Sequence, residues 1–127
     1  MIYLASPYSS PHANVMQQRF EAVCRAAAVL MRAGYMVFSP IAHSHPIAQH
    51  GLPLGWEFWQ AFDFAFIDVA NEVWVLTLPG WHESVGVRAE TAYAIEQSKP
   101  VWLAVPTADH GIQKTPLLTG WPDASLP

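Results

Sequence analysis

Charge is scarce in this chain. Asp, Glu, Lys and Arg make up only 13% of its 127 residues, against 52% hydrophobic ones. Six residues are Lys or Arg, the formal net charge is -4, and no basic stripe runs along the sequence. That excludes polymeric nucleic acid as an expected partner. Cysteine is nearly absent. Cys24 stands alone among Ala, Val and Arg at helical spacing, which rules out a disulfide framework and reads as a buried thiol in a reducing compartment. No apolar run is long enough to span a membrane, so no membrane partner is expected. Met1-Ile2-Tyr3-Leu4-Ala5 has no basic region before it and reads as a strand, not a signal peptide, which points to a cytoplasmic protein. Also missing are a Gly-x-Gly-x-x-Gly fingerprint, a Walker loop and a nucleophile elbow. Dinucleotide, P-loop and serine-hydrolase readings are set aside on that ground, and no cofactor is expected.

The length fits one domain over 1–127, with enough buried surface to fold without a disulfide or structural metal. Low charge combined with six Trp implies that more surface is covered than one monomer can cover. A homodimer or higher homo-oligomer is therefore expected, with the helix around Trp56 and Trp59 as the interface.

Ile2 to Ala5 is a short apolar run stopped by Ser6-Pro7, as suits a central parallel strand. From about Pro11 to Ala33, Met16, Phe20, Val23, Ala27 and Leu30 recur at helical spacing, and Gly34 is the expected stop. Tyr35 to Phe38 reads as a second strand, completing a right-handed βαβ unit. Ile41 to Gly55, with His43, His45 and His50 among Pro and Gly, reads as a loop. A helix is expected over Trp56 to Val69, a strand over Asn71 to Leu78, and a helix over Val85 to Ser98 capped by Ser84. Val101 to Val105 supplies a fourth strand, and an irregular tail is expected from about 106. The whole predicts a three-layer α/β fold, flavodoxin-like or Rossmann-like, with a mostly parallel sheet in the order 2-1-3-4.

Open parallel sheets bind ligands outside the carboxyl ends of their strands. Ser6 to Ser10, Ser39 to His50, Pro79 to Ser84 and the segment after Val105 should converge there. Glu90 lies in the second turn of the Ser84-capped helix, on a face shared with Gly86, Val87, Tyr93 and Ala94. A carboxylate there is either a solvated surface group or a held, functional one. Asp63, flanked by Phe62, Phe64 and Phe66, poses the same choice. His43-Ser44-His45 could ligate metal, but His-x-His alone is a weak pattern, and such histidines more often hydrogen-bond backbone, substrate or a carboxylate. No metal site is assigned. Trp56 and Trp59 could stack on a planar ring or fill a core or interface.

Three motifs together resemble the nucleoside 2-deoxyribosyltransferases and their sister 2′-deoxynucleoside 5′-phosphate N-hydrolases. Ile2-Tyr3-Leu4-Ala5-Ser6-Pro7 is similar to the opening strand, Asp63-x-x-x-Ile67 to the aspartate segment, and Ser84-Val85-Gly86-Val87-Arg88-Ala89-Glu90 with Ala92-Tyr93-Ala94 to the nucleophile helix. The likeness spans Ile2 to about Val105, and the loop Ser39 to Pro46 is similar to that of a bacterial branch. The resemblance implies that Glu90 attacks an anomeric carbon, that Asp63 handles protons on the departing base, and that Tyr3 aims the nucleophile. Ser84 stands where the transferases carry a carboxylate and the N-hydrolases a serine that can receive a 5′-phosphate, with Ser9, Ser10 and Arg19 as further donors. Ser6, in place of the usual glycine, the His43 to His50 loop and the bulky Arg88 depart from the pattern. The implied ligand is a small nucleotide or nucleoside, contacted by Ser84, Gly86, Ser6, Ser9, Ser10, His43, His45 and Trp56. Two other readings stay open. One is a module that senses a nucleotide without turnover, with Glu90 turned away or paired to Arg88. The other is a metal-dependent hydrolase using His43, His45 and Asp63.

Overall fold

The computed structural model describes residues 1–118 and 120–122. In chain order its elements are β1 (Ile2–Ala5), α1 (Ala13–Arg32), β2 (Val37–Phe38), α2 (Pro40–Ala48), α3 (Trp56–Val69), β3 (Glu72–Leu76), a 3-10 turn (Trp81–Glu83), α4 (Val85–Glu96), β4 (Val101–Pro106) and β5 (Ile112–Pro116). The five strands form one sheet in the order β2-β1-β3-β4-β5. The first four run parallel and β5 lies antiparallel to β4.

Alternation along the central strands builds the three layers. Ile2, Leu4, Trp74 and Leu76 point to one face, where Val23, Ala26, Ala27 and Leu30 of α1 cover them. Tyr3, Ala5, Val73 and Val75 point to the other, against Ile67 of α3 and Val87 and Ala94 of α4. Both faces are apolar because both are buried, the condition for a parallel sheet. The chain leaves β1 for the β2 side, then returns to add β3 on the other side. The sheet therefore has a topological switch point between β1 and β3, the place where such sheets open a crevice.

Two sequence expectations need correction. His43 and His45 lie on a helix, α2, and not in a loop. Ser39 caps that helix by accepting from the Ala42 N–H at 3.0 Å, and Pro40 takes the first helical position, where no N–H is required. Beyond 106 the chain is not irregular throughout, since β5 pairs with β4 from Pro106↔Ile112 to Trp102↔Pro116. Residues 119 and 123–127 of the expected tail lie outside the described residues. Smaller shifts trim the ends. α1 begins at Ala13, β2 is confined to Val37–Phe38, and Cys24 is half-buried. Among the described residues no helix is long and apolar enough to cross a membrane.

Candidate functional site

A cavity of about 310 Å³ opens at the carboxyl ends of β1 and β3. Several segments build it. The extended stretch after β1 brings Ser6, Tyr8 and Ser9, α1 brings Arg19, α2 brings Ser44 and His45, α3 brings Trp56, Trp59 and Asp63, the β3–α4 connection brings Gly80, Glu83 and Ser84, and α4 brings Gly86 and Glu90.

Glu90 and Asp63 are both buried at its base, only 4% and 7% exposed. Tyr3, wholly buried on β1, donates its hydroxyl to Glu90 Oε2 at 2.7 Å. Asp63 approaches the same pair from α3, near enough for its carboxyl to shift both groups. Burial is the chief influence on each carboxyl. It pushes Glu90 well above the usual range, helped by the negative charge of Asp63 and opposed by the Tyr3 hydroxyl. It also pushes Asp63 up, against the pull of Glu90, His43 and Tyr3. The Tyr3 phenol is raised too, by burial first and by the two carboxyls next. Two buried carboxyls that influence each other in this way cannot both ionise readily, so they retain a shared proton over a range in which two ordinary ones would lose both.

The mouth is organised by α4 and Arg19. Ser84 caps α4, its Oγ accepting from the Val87 N–H at 3.2 Å. Arg19 donates to the carbonyls of Ser9 at 3.0 Å and Pro79 at 3.3 Å, tying the loop after β1 to the loop after β3. Gly80 serves this tie. It sits at φ +88°, and a Cβ there would stand 2.9 Å from Arg19 Nη2. Gly86 lies against the Trp56 ring, where a Cβ would make an ordinary van der Waals contact at 3.4 Å.

Of the residues singled out in the sequence, Glu90, Asp63, Ser84, Gly86, Ser6, Ser9, His45 and Trp56 line the cavity, and Tyr3 bonds to its floor. Two do not line it. Ser10 accepts from the His12 N–H ahead of α1, and exposed His43 packs near Phe38 and Phe66, reaching Asp63 only through its charge. Sequence reasoning missed Tyr8. Its hydroxyl is 2.6 Å from His45 Nδ1, while His45 Nε2 is 2.9 Å from Gln17 Oε1 and the ring stacks on Phe20. Only the spacing of Tyr8 two residues after Ser6 could have flagged it. Both nitrogens of His45 are thus engaged. Among the described residues no three His, Cys, Asp or Glu side chains are grouped to hold a metal ion, so the His43, His45 and Asp63 metal reading lacks a geometric basis.

Fold and site together define a three-layer α/β protein with a buried carboxyl pair at the switch point of its sheet. A family model described as Domain of unknown function (DUF1937) matches residues 1–105, and the chain belongs to that family. The matched span contains every cavity-lining residue. No curated protein matches the chain.

Proposed function

We propose that the protein cleaves the N-glycosidic bond of a nucleoside 5′-monophosphate or related nucleotide, by hydrolysis or transfer, with Glu90 as nucleophile. The observation that carries this reading is the buried pair of Glu90 and Asp63 with Tyr3 donating to Glu90. Such chemistry needs one ionised carboxylate to attack and one proton to release the base, and a pair that shares one proton supplies both. With substrate bound, the proton resides on Asp63. The Glu90 carboxylate, aimed by Tyr3, forms a bond to the anomeric carbon. The C–N bond breaks, its electron pair leaves with the base, and Asp63 protonates that base. Water deprotonated by Asp63, or the hydroxyl or base nitrogen of an acceptor, then takes the glycosyl group and frees Glu90.

Other features support a nucleotide as ligand. Trp56 and Trp59 offer ring faces to a base. The Ser84 hydroxyl, the first N–H groups of α4 and Arg19 offer donors to a 5′-phosphate. A sensor without turnover would leave Glu90 turned away or paired to Arg88. Arg88 instead donates to the Pro122 carbonyl at 2.9 Å. The test is incubation with a panel of nucleoside 5′-monophosphates followed by chromatography for free base. Base release is expected from at least one. Binding without release from any would replace the enzyme reading by a sensing module.

A further inference from the structure

A second cavity, of about 450 Å³, opens on the α1 side of the sheet and shares no lining residue with the cavity of Glu90 and Asp63. Small-molecule sites usually enclose about 300–1,000 Å³, so the space suits a ligand. α1 supplies one wall through Ala22, Arg25, Ala26, Val29 and Arg32, a stripe at helical spacing. Leu76 and Leu78 continue it from the end of β3, and Ile112 and His110 of the β4–β5 hairpin also line it.

The positive charges of the chain are distributed unevenly about this cavity. Of six Lys and Arg side chains, four are engaged within the fold. Arg19 donates to the carbonyls of Ser9 and Pro79, Arg88 to that of Pro122, and Lys99 to those of Asp68 and Ala70. Lys114 stands 3.9 Å from Glu72 and lies over the Trp102 ring. Arg25 and Arg32 are the two whose side chains make no hydrogen bond or ion pair among the described residues, and both line this cavity. Both are exposed, so both can be reached from solvent. The chain carries ten Asp and Glu residues, yet none lines the cavity. Asp109, in the adjoining hairpin, is engaged in its own turn. It accepts from the Thr107 hydroxyl and the Gly111 N–H, contacts that hold its carboxyl below the usual range. Arginine stems often cover apolar surface themselves. Here the hollow stays open with both arginines lining it.

We infer that this cavity is a second binding site, for a small organic anion that joins a carboxylate or similar acidic group to an apolar body. The guanidinium groups of Arg25 and Arg32 give the acidic group charge-assisted hydrogen bonds, and no neighbouring carboxylate competes for them. The body lies against Val29, Leu78 and Ile112 and displaces water from apolar walls. The two arginines stand two turns apart, about 10 Å along α1, so positive charge extends along the whole helical wall. A cation or a neutral polar molecule finds no acceptor side chain of opposite charge there. The site is independent of the reaction at Glu90, because the two cavities have no residue in common.

The experiment is calorimetric titration of the full chain with octanoate and with octanamide, its uncharged counterpart. Wild type is expected to bind octanoate at least about tenfold more tightly than octanamide, the scale of one charge-assisted hydrogen bond. In the double variant Arg25→Gln/Arg32→Gln that preference should fall to about one, with octanamide binding unchanged. Ala22→Phe keeps both arginines and fills apolar space, so it should weaken both compounds. Phe62→Glu, on the exposed aromatic face of α3, should alter neither, which separates this site from that face. Thermal melts confirm that each variant is folded. Failure of octanoate to bind wild type, equal binding of the two compounds, or a preference that survives in Arg25→Gln/Arg32→Gln overturns the site. Loss of octanoate binding in folded Phe62→Glu overturns it as well.

Discussion

At the scale of single residues, the site turns on where one proton sits. Burial raises Glu90 and Asp63 together, and each suppresses ionisation of the other as a second charge builds up. Base release should therefore follow a bell in pH, maximal while the pair holds one proton. It falls on the acid side when both are protonated and on the alkaline side when both are ionised, with the alkaline limb above the ordinary carboxyl range. Stability carries the same signature with a definite sign. Folded-state values above the unfolded ones mean that the native state binds more protons in between. The stabilisation is thus complete below the unfolded carboxyl value of about 4 and is lost as pH rises through the folded values. Glu90→Gln keeps an oxygen to accept from Tyr3 and gains an N–H to give Asp63. It should flatten this fall and stabilise the protein at neutral pH by on the order of 1 kcal/mol, as removal of a functional compromise commonly does. Urea denaturation across pH reads both effects, and a wild-type curve that rises through neutrality would contradict them.

At the scale of elements, the N-terminus of α4 and the loop before it set the mouth of the cavity. Ser84→Ala should cost about 1 kcal/mol through loss of the cap. Ser84→Asp should keep the cap and selectively weaken phosphorylated ligands, and comparing a nucleoside with its 5′-monophosphate by titration separates the two effects. Gly80→Ala strains a left-handed backbone and crowds Arg19, so it should destabilise by about 1–2 kcal/mol in a denaturant melt. These elements were legible in sequence to different degrees, for physical reasons. α4 announced itself through Ser84 and a pattern that put Glu90 on a face of small and apolar residues. α1 did so through its periodicity and Gly34. α2 was obscured because three histidines and Pro46 resemble loop composition, although Ser39-Pro40 carried a readable start signal. β5 was obscured because Gln113, Lys114 and Thr115 are polar. It is held as an edge strand by pairing with β4 and by Lys114 lying over the Trp102 ring at 4.1 Å, a contact that only the tertiary fold creates. The Arg19 tie to Pro79 and the Tyr8–His45–Gln17 chain were illegible for the same reason, since each joins residues far apart in the chain.

At the scale of the whole molecule, one face remains apolar in the single chain. Phe58 and Phe62 on α3 are well exposed and, with Trp59, form a contiguous aromatic cluster beside Leu54. Trp59 and Leu54 also line the cavity, so association through this face would lie at the edge of the site. Light scattering is expected to report at least a dimer, and Phe62→Glu should shift it toward monomer. A monomeric wild type at working concentration would contradict this. Glu90 and Asp63 were singled out together through the resemblance of three motifs, since spacing alone left each acid open between a solvated surface group and a held one. The carboxyls, the βαβ frame and the cap meet in a single claim, that Glu90 forms the bond to the anomeric carbon. It is tested most directly by measuring base release and nucleotide affinity side by side in wild type and Glu90→Gln. Release is expected to fall by at least about a thousandfold while affinity stays within about threefold. Base release that survives intact in Glu90→Gln would contradict it.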